Sequence, residues 1–372
     1  MIRIATVIGA RPQFIKAATV SHAIEKRRGI ISEILIHTGQ HYDYEMSEVF
    51  FRELDISKPA YHLDVGSGSH AWQIGQMLER LEQVLVNERP SLVLVYGDTN
   101  STLAGALAAR TLQIPVAHVE AGVRSFNRCM IEEINRKLTD NVATFLFCPT
   151  RSAVDNLAHE SIKGGVLSPF SWERYVINVG DVMLDSILQC RARAEESSTL
   201  HRELGIAGQP YLLATVHRAE NTDDPRILSD ILYALKELSF QEAVIFPVHP
   251  RTRNAIETIG ERKYGNLRFI DATSYLDMIA LIAGSRMVLT DSGGVQREAF
   301  FLHVPCVTLR SETEWMETVE CGWNVVTGTS AHEILSGARR VLEMERKEGV
   351  PLFGAGDAAE KIVSFLERHV KG

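Results

Sequence analysis

Short apolar runs alternate with amphipathic stretches of helical length along the whole chain, and the series begins again near the middle of the sequence. In the first half, Ile2–Ile8 and Ser91–Tyr96 predict buried strands, whereas Ala71–Asn87 predicts a helix. In the second half, Tyr211–Val216 and Met287–Thr290 predict strands of the same kind. Strands that alternate with helices form a parallel sheet with helices on both faces. The sequence therefore predicts an α/β fold with two Rossmann-like domains.

The length of the chain also favours two cores. A single hydrophobic core stops growing at about 250–300 residues, and this chain has 372. We expect one domain over residues 1–180 and a second over residues 181–355, followed by a helix over about 356–372. Ligands of open parallel sheets bind at the carboxyl ends of the strands. Two such domains are therefore expected to face each other across a central cleft that holds the ligand.

Composition and charge restrict the partners of the chain. The formal net charge is −8 and the isoelectric point is about 5.9, without a basic run, so neither nucleic acid nor an anionic membrane is expected. No apolar run approaches the ~20 residues that span a bilayer, and the first residues lack the pattern of a signal peptide. The five cysteines are scattered without a C-x-x-C pair, which is typical of reduced thiols in the cytoplasm. Cys148 and Cys306 are interpreted as small buried hydrophobes within strands.

The segment Gly9–Lys16 joins the first strand to the first helix and is a candidate anion site. Gly9 ends the strand, Arg11 follows, and Pro12 suits the first turn of a helix. A helix N-terminus offers unpaired N–H groups and partial positive charge, which together with Arg11 favour an anion, and Lys16 lies one turn later. The spacing is not G-x-G-x-x-G, which argues against a dinucleotide cofactor. The alternative is a tight strand-to-helix turn with a solvated arginine.

The segment Asp291–Glu298 is a second candidate anion site. Ser292 can cap the helix that follows, and Gly293 and Gly294 let backbone N–H groups approach a diphosphate. Glu298 lies further along this helix and can accept hydrogen bonds from ribose hydroxyls. No Gly-Lys-Ser/Thr follows, so this is not a Walker A loop. The alternative is a glycine-rich turn that binds no ligand.

Three carboxylates, Asp98, Glu120 and Glu132, form the candidate acid–base set. Asp98 and Glu120 follow predicted strands, and Glu132 opens a predicted helix that also carries Arg136. Carboxylates that converge on one site suit proton transfer, because mutual repulsion and burial raise a carboxyl pKa toward neutrality. Each also has a structural alternative: a helix cap for Asp98, an ion pair with Arg124 for Glu120, and a favourable helix start for Glu132. The functional interpretation depends on all three sharing one face.

Basic side chains follow two predicted strands of the second half. His217 and Arg218 come after the first of these strands, and His249 and Arg251 after the next. They can neutralise a diphosphate or pass a proton to it. The alternative is a set of polar strand ends in water. Neither H-E-x-x-H nor a Cys/His spacing supports a metal site, so no metal is expected.

A series of short motifs occurs in a fixed order along the chain: Gly9–Pro12, Tyr96–Thr99, His118–Ser125, Glu132–Arg136, Val216–Asn221, His249–Thr252 and Asp291–Gln296. Each motif is weakly specific by itself. The ordered set covers nearly the whole chain and resembles that of the non-hydrolysing UDP-N-acetylglucosamine 2-epimerases. The resemblance implies the two-domain GT-B fold, a homodimer, no redox cofactor, and a C-terminal helix that packs back on the first domain.

The resemblance also implies a mechanism. The C2 proton of a UDP-2-acetamido sugar is removed and UDP leaves C1, which gives a 2-acetamidoglucal; UDP then returns and C2 is reprotonated on its other face. Because the C2–H bond is not acidic, the enzyme mainly stabilises the leaving diphosphate. The implied acid–base residues are Asp98, Glu120 and Glu132, and His217 is a fourth catalytic residue that serves the phosphates. The implied substrate-binding residues are Arg11 at the phosphates, Ser292, Gly293 and Gly294 at the diphosphate, Glu298 at the ribose, and Lys16, Arg136, His249 and Arg251.

Several positions depart from the common pattern of that family, among them Ile131, which replaces the common Pro before the Glu132–Glu133 pair. The common first motif has Thr and Glu where this chain has Ala10 and Gln13. Trp315 stands where many members have Arg, and Arg297 replaces a frequent Glu.

Two segments, Gly9–Ala17 and Val179–Met183, resemble the branch that acts on UDP-2,3-diacetamido-2,3-dideoxyglucuronic acid. The extra carboxylate of that substrate requires a cation, for which Arg297, Arg310 and Arg128 are candidates.

Three other functions remain open at this point. A hydrolysing 2-epimerase would release UDP and ManNAc. A GT-B glycosyltransferase would need an acceptor channel, for which no motif stands out. A non-catalytic UDP-sugar sensor would have replaced the acid–base carboxylates, and here all three are present.

Overall fold

The computed structural model describes residues 1–40, 51–167, 172–259, 265–347 and 351–371. The chain divides into two compact units. The first comprises Met1–Ser186 together with Pro351–Gly372, and the second comprises Ile187–Val350. The expected boundaries after residues 180 and 355 lie a few residues from these positions.

The first unit contains a sheet of strands that are buried at its centre. Its strands are β1 (Ile2–Ile8), β2 (Ile31–His37), β3 (Tyr61–His62), β4 (Leu92–Tyr96), β5 (Val116–Val119), β6 (Phe145–Cys148), β7 (Gly165–Leu167) and β8 (Trp172–Asn178). Their order is β3-β2-β1-β4-β5-β6-β8-β7. All neighbours are parallel except β7, which is antiparallel to β8. Residues on both faces of β4, β5 and β6 are buried, which explains why these strands read as continuous apolar runs.

Helices connect these strands and begin at recognisable caps. They are α1 (Arg11–Glu25), α2 (His70–Glu88), α3 (Asn100–Thr111), α4 (Ile131–Val142), α5 (Arg151–His159) and α6 (Val182–Ser197), which contains the boundary between the units. Pro12 lies in the first turn of α1, as predicted. Thr99 caps α3, because its hydroxyl accepts a hydrogen bond from the N–H of Thr102.

The second unit has an entirely parallel sheet. Its strands are β9 (Tyr211–Thr215), β10 (Ala243–Val248), β11 (Leu267–Asp271), β12 (Met287–Thr290), β13 (Cys306–Thr308) and β14 (Asn324–Val326), in the order β11-β10-β9-β12-β13-β14. Its helices are α7 (Leu200–Glu203), α8 (Ala219–Thr222), α9 (Pro225–Ser239), α10 (Pro250–Ile259), α11 (Tyr275–Gly284), α12 (Gly293–Phe301), α13 (Met316–Glu320) and α14 (Ala331–Glu343). Leu228, Ile231 and Leu235 of α9 belong to a core cluster that also contains Phe246 of β10.

Both sheets contain the Rossmann strand order, in which the third, second and first strands are followed by the fourth, fifth and sixth. The predicted α/β fold with two Rossmann-like parallel sheets is therefore confirmed. In the first sheet, β2 and β3 are added on one side of β1, and β4 and the later strands are added on its other side. The reversal point therefore lies between β1 and β4 in the first unit, and between β9 and β12 in the second. Ligands of such sheets bind at the carboxyl ends of the strands that flank this reversal.

The C-terminal helix α15 (Ala358–His369) belongs to the first unit. The ring of Phe365 lies 5.3 Å from that of Tyr175 and 6.0 Å from that of Phe147. The carboxylate of Asp185 accepts hydrogen bonds from the N–H groups of Ala358 and Ala359, which are otherwise unpaired at a helix start. These contacts attach the start of the helix to α6 and its second half to strands β6 and β8.

Predicted and observed elements agree to within a few residues where the apolar pattern is long. The sequence did not predict the short strands β3 and β7 or the helices α5, α6, α7, α8, α10 and α13. β3 is two residues long, and β7 is a three-residue strand that pairs with β8. The polar residues of α10 follow Pro250 and resemble a loop. Cys148 and Cys306 are buried within strands, as predicted.

Candidate active site

Gln13 joins the two strands that flank the reversal point of the first sheet. Its Oε1 accepts hydrogen bonds from the N–H groups of Gly9 and Ala10, at 2.8 and 3.1 Å. Its Nε2 donates to the carbonyl oxygen of Tyr96 and to Thr102 Oγ1, both at 3.1 Å. The first turn of α1 is thereby attached to the end of β4. This structural role accounts for the buried amide at a position where the related family commonly has Glu.

Gly9 allows the end of β1 to pack closely against its neighbours. A Cβ atom at this position would lie 2.0 Å from Thr38 Oγ1 and 2.3 Å from Ser101 Oγ, so no larger residue fits without displacement. The two hydroxyls are themselves hydrogen-bonded at 2.8 Å. Arg11 is the first residue of α1 and is partly exposed beside this turn.

Lys16 and Glu120 form a buried ion pair, in which Nζ lies 2.7 Å from Oε2. Glu120 has a φ of 74°, in the left-handed region that residues with a Cβ rarely adopt. Gly97 has a φ of 64°, and a Cβ atom there would lie 3.1 Å from Lys16 Nζ and 3.6 Å from Glu120 Oε1. The adjacent ammonium group stabilises the ionised carboxylate of Glu120. The structure thus places Lys16, a predicted substrate-binding residue, directly against one of the predicted acid–base residues.

Arg136 connects Asp98 to Glu133. Its Nε and Nη2 atoms donate to Asp98 Oδ2 at 3.0 and 2.6 Å, and its Nη1 atom donates to Glu133 Oε2 at 3.0 Å. Glu133 is buried and also accepts a hydrogen bond from the N–H of Ser125 at 2.9 Å. These contacts attach the start of α4 to the turn after β4, and the Asp98 side chain remains 23% exposed.

Glu132 has different surroundings from its neighbour. It lies in the first turn of α4 and is partly exposed, whereas Glu133 is buried. In the described part of the chain, Glu132 has neither a hydrogen-bond nor an ion-pair partner. The structure therefore leaves the Glu132 carboxylate accessible to a ligand, whereas that of Glu133 serves internal packing.

A charged cluster is buried beneath these strand ends. His118 Nδ1 and Asp140 Oδ1 are 2.7 Å apart, and Asp140 Oδ2 is 2.7 Å from Arg124 Nη1, with none of the three side chains exposed. Arg124 is also bound by both oxygens of Glu160, at 3.0 and 2.7 Å. Arg124 therefore pairs with these two carboxylates, and Glu120 pairs with Lys16.

The ionisation of Asp140 follows from this environment. Burial by itself would raise the pKa of Asp140, but the charges and hydrogen bonds of His118 and Arg124 outweigh it and hold that pKa below its ordinary value. The cluster thus contains an ionised carboxylate without contact to water.

In the second unit, Asp291 joins the strands that flank the reversal point. Its Oδ2 accepts hydrogen bonds from the N–H groups of His217 and Arg218, at 3.1 and 3.0 Å, and from Asn221 Nδ2 at 3.0 Å. Asp291 follows β12 and the three donors follow β9. The imidazole of His217 also lies 3.3 Å from Asp291 Oδ1, but it is 50% exposed. The ring of His217 is therefore anchored on one side and accessible on the other.

Ser292 caps α12, as predicted, because its Oγ accepts a hydrogen bond from the N–H of Val295 at 3.4 Å. Gly293 and Gly294 form the first turn and are partly exposed. A Cβ atom on Gly293 would lie 3.1 Å from Trp315 Nε1. The glycine therefore lets the indole ring approach the N-terminus of this helix.

Two buried arginines lie near this helix start, and Glu298 is buried with them. The guanidinium carbon of Arg297 lies 3.9 Å from the centre of the Trp315 ring, in a cation–π contact. Arg310 donates to both oxygens of Glu314, at 2.9 and 3.2 Å, and its side chain is 1% exposed. The charge of Arg310 is therefore compensated within the protein. Arg128, in contrast, is exposed in the loop before α4.

His249 is exposed between β10 and α10. Arg251 lies in the first turn of α10, and its side chain is outside the described residues.

Within the described ranges, no group of three or more His, Cys, Asp or Glu side chains is arranged to hold a metal ion. None of the described helices is both long enough and apolar enough to cross a bilayer.

Sequence reasoning did not identify Asp140 or Asp291 as acceptors that hold the site together. A signal for Asp140 was present, because Glu133, Arg136 and Asp140 recur at helical spacing and define one charged face of α4. All three are buried. A charged stripe that lies inside the protein indicates a network of ion pairs, since isolated buried charges are costly.

Comparisons with known proteins agree with this architecture. The family model described as UDP-N-acetylglucosamine 2-epimerase matches residues 22–367. The UDP-2,3-diacetamido-2,3-dideoxy-D-glucuronate 2-epimerase of Pseudomonas aeruginosa is 50% identical over 369 residues, which cover 99% of this chain and 100% of the relative. The UDP-N-acetylglucosamine 2-epimerase of Methanocaldococcus jannaschii is 39% identical over 373 residues, which cover 98% and 99%. The crystal structure of the M. jannaschii UDP-GlcNAc 2-epimerase in complex with UDP-GlcNAc and UDP has a TM-score of 0.89 at 38% identity, covering 99% of this chain and 100% of that chain.

Proposed function

The chain belongs to the UDP-N-acetylglucosamine 2-epimerase family, and we propose that within this family it inverts C2 of UDP-2,3-diacetamido-2,3-dideoxy-D-glucuronate. It is an isomerase with the GT-B fold of that family. The proposed sugar is supported by the 50% identity to the P. aeruginosa relative and by the resemblance of Gly9–Ala17 and Val179–Met183 to the branch that acts on this sugar.

The proposed reaction is an elimination followed by a re-addition. A carboxylate removes the proton from C2, the electron pair forms a C1=C2 double bond, and the C1–O bond to the diphosphate breaks with its electrons on UDP. In the second half, a diphosphate oxygen returns to C1 and C2 takes a proton on the opposite face. Neither half changes the oxidation state of the sugar overall. The difficult step is expulsion of UDP, so stabilisation of the developing diphosphate charge carries most of the catalysis.

Asp98, Glu120 and Glu132 are the proposed acid–base groups. Support comes from the cations beside two of them, since Arg136 contacts Asp98 and Lys16 contacts Glu120. Each of these carboxylates is thus held in place by a hydrogen-bonding cation. Glu132 is accessible in the first turn of α4. Lys16 and Arg136 are thus proposed to act on the sugar site through these carboxylates.

The second unit is proposed to bind UDP. Support comes from the Ser292 cap, the two glycines that follow it and the accessible ring of His217, all of which lie beside the reversal point of the sheet. The first N–H groups of α12 are suited to diphosphate oxygens, and Glu298 is proposed to bind the ribose. Arg11, His249 and Arg251 are proposed as further phosphate contacts. Arg128, Arg297 and Arg310 are the proposed candidates for the extra carboxylate of the sugar. Arg128 is exposed, whereas Arg310 already binds Glu314.

The function is tested by incubation of the purified protein in D2O with UDP-2,3-diacetamidoglucuronate and, separately, with UDP-GlcNAc. Proton NMR follows the C2 position. We expect deuterium at C2 together with a new manno-configured UDP-sugar, and a higher kcat/KM for the glucuronate. A higher kcat/KM for UDP-GlcNAc would contradict the proposed sugar.

Other outcomes of this experiment identify the alternatives. Free UDP together with the free manno-configured sugar would indicate a hydrolysing enzyme. Binding of UDP without exchange at C2 would favour a transferase or a sensor.

The Asp98→Asn variant should lose exchange by about 10²–10⁴-fold. The matched control is Asp64→Asn, because Asp64 is exposed and has a φ of 47°, which Asn tolerates.

We also propose that the protein is a cytoplasmic homodimer that supplies a polysaccharide pathway. The dimer is supported by the family resemblance and by exposed apolar side chains around α4, with Ile134 and Leu138 on one face and Phe126 in the preceding loop. Light scattering coupled to gel filtration should give a mass near twice 41.5 kDa. A monomer mass at micromolar concentration would contradict the dimer.

A further inference from the structure

His118 lies at the centre of the buried cluster in the first unit, and both of its ring nitrogens face oxygen acceptors. Nδ1 lies 2.7 Å from Asp140 Oδ1, and Nε2 lies 2.7 Å from the carbonyl oxygen of Gly97. A peptide carbonyl can only accept a hydrogen bond. An ionised carboxylate can only accept as well.

Asp140 is ionised for a reason that does not depend on His118 alone. Its other oxygen, Oδ2, lies 2.7 Å from Arg124 Nη1 and 3.2 Å from the N–H of Gly122, so it receives two more donors. With acceptors at both ring nitrogens, the imidazole must carry a proton on each. A neutral ring would leave one nitrogen lone pair directed at an oxygen lone pair at 2.7 Å.

The two acceptors of His118 belong to the segments that carry the proposed acid–base groups. Gly97 immediately precedes Asp98 and has a left-handed φ of 64°. Asp140 binds His118, two residues before Glu120, and Gly122, two residues after it. Glu120 itself has a φ of 74°, a conformation that costs roughly 1–2 kcal/mol for a residue with a Cβ. Such a conformation persists only where the surroundings enforce it.

We propose that His118 is a positioning residue for epimerisation: as a buried imidazolium it holds the Gly97 carbonyl and, through Asp140, the left-handed turn at Glu120. It thereby aligns Asp98 and Glu120, two of the three carboxylates in the proposed function on which this inference rests. The His118 side chain is 0% exposed, so the proposal assigns it no contact with the sugar. The carboxylates of Asp140 and Glu160 offset the charges of His118 and Arg124, and Lys137 Nζ lies 3.3 Å from Glu160 Oε1 at the edge of the cluster.

The charge state is tested directly by NMR on protein labelled with ¹⁵N-histidine, at about pH 8.5, well above the ordinary histidine pKa of about 6.5. His118 is assigned by its loss from the spectrum of the His118→Gln variant. We expect both ring nitrogens of His118 to carry protons. His201 is the internal reference for a neutral ring, because burial lowers its pKa. One unprotonated nitrogen in His118 would overturn the proposal.

The Asp140→Asn variant provides a second test by the same method. Removal of the carboxylate charge should convert His118 to the neutral ring at about pH 8.5. A doubly protonated ring in this variant would contradict the role assigned to Asp140. The spectrum reports the charge whether or not either sugar is epimerised, so failure of the proposed function and failure of this proposal are distinguishable.

Positioning is separated from mere folding by kinetics. The His118→Gln variant should lose about 100-fold in kcat, as expected for misplaced catalytic groups, with an altered pH–rate profile and a KM within about threefold of wild type. The matched control is His201→Gln, because His201 is a partly buried histidine that binds Tyr211 Oη in the second unit, at 2.9 Å. The control should lower stability and leave the pH–rate profile unchanged. An unchanged profile in His118→Gln, with activity lost only in proportion to unfolded protein, would overturn the proposal.

Discussion

The ammonium nitrogen of Lys16 lies 2.7 Å from Oε2 of Glu120, and the two side chains are 5% and 7% exposed. Lys16 comes from the second turn of α1, and Glu120 comes directly after β5. The pair therefore joins the two sides of the reversal point in the first sheet. Each charge compensates the other in a place that water scarcely reaches.

Replacement of Lys16 by Met should leave the Glu120 carboxylate buried without its cation. Loss of one partner of a buried pair typically costs about 3–5 kcal/mol, and we expect that loss in the free energy of unfolding, measured by urea denaturation. The Lys16→Met/Glu120→Leu double variant should recover much of the stability but no epimerase activity. Equal stability of Lys16→Met and wild type would show that the pair is not formed in solution.

Glu132 and Glu133 should respond differently to the same substitution. Glu132→Gln should lower kcat by about 10²–10⁴-fold, as for loss of an acid–base group, with little change in melting temperature. Glu133→Gln should lower the melting temperature, because the buried carboxylate binds Arg136 and the N–H of Ser125. Differential scanning calorimetry and the C2 exchange assay measure the two effects. A lower melting temperature for Glu132→Gln, with loss of exchange in Glu133→Gln at unchanged stability, would contradict these assignments.

Gly293→Ala should weaken UDP binding by about tenfold, or ~1.4 kcal/mol. The added methyl group would lie 3.1 Å from Trp315 Nε1 and would displace the indole at the start of α12. Isothermal titration calorimetry with UDP gives the dissociation constant. Gly75→Ala is the matched control, since Gly75 is exposed within α2 and a Cβ there meets nothing within 4 Å.

The Gly75→Ala control should bind UDP like wild type and gain about 0.5–1 kcal/mol of stability, because Ala is the better helix former. Equal UDP affinities for wild type and Gly293→Ala would argue against diphosphate binding at this helix start.

The acid stability of the first unit should depend on Asp140 and Asp185 with opposite signs. The pKa of Asp140 is lowered in the folded protein, so its contribution to stability is present above about pH 4 and is lost as the pH falls through the folded value. Asp140→Asn should therefore be less stable than wild type at pH 7, and the difference should shrink in acid.

Burial raises the pKa of Asp185, although the N–H groups of Ala359 and Ala358 lower it in part. Relative to wild type, Asp185→Asn should become more stable as the pH rises from acid to neutral.

Urea denaturation of both variants between about pH 3 and pH 7 measures these differences. Parallel curves for wild type and Asp140→Asn would contradict the ionised state of Asp140.

The sequence predicted the parts of the site that depend on local order. Gly9, Pro12, Ser292 and the strand ends beside them follow from apolar periodicity and helix-start chemistry, which involve residues close together in the chain. The family resemblance then predicted which strand ends carry the function, and the comparisons confirmed the family. The roles of individual side chains remain predictions.

Other features could not be predicted because they depend on residues far apart in sequence. The alternative considered for Glu120 was Arg124, four residues away, but the cation that contacts it is Lys16. Glu132 and Glu133 are adjacent in the sequence, and only the packing of α4 determines that one is accessible and the other buried.

The sequence by itself determined two Rossmann-like sheets and the strand ends at which polar residues collect, because hydrophobic periodicity specifies which faces are buried. Only the tertiary structure decided which charges meet: Lys16 with Glu120, Arg136 with Asp98, and His118 with Asp140. The physical reason is that a buried charge requires a partner within hydrogen-bonding distance. Strand order and helix packing, rather than spacing along the chain, bring that partner into place.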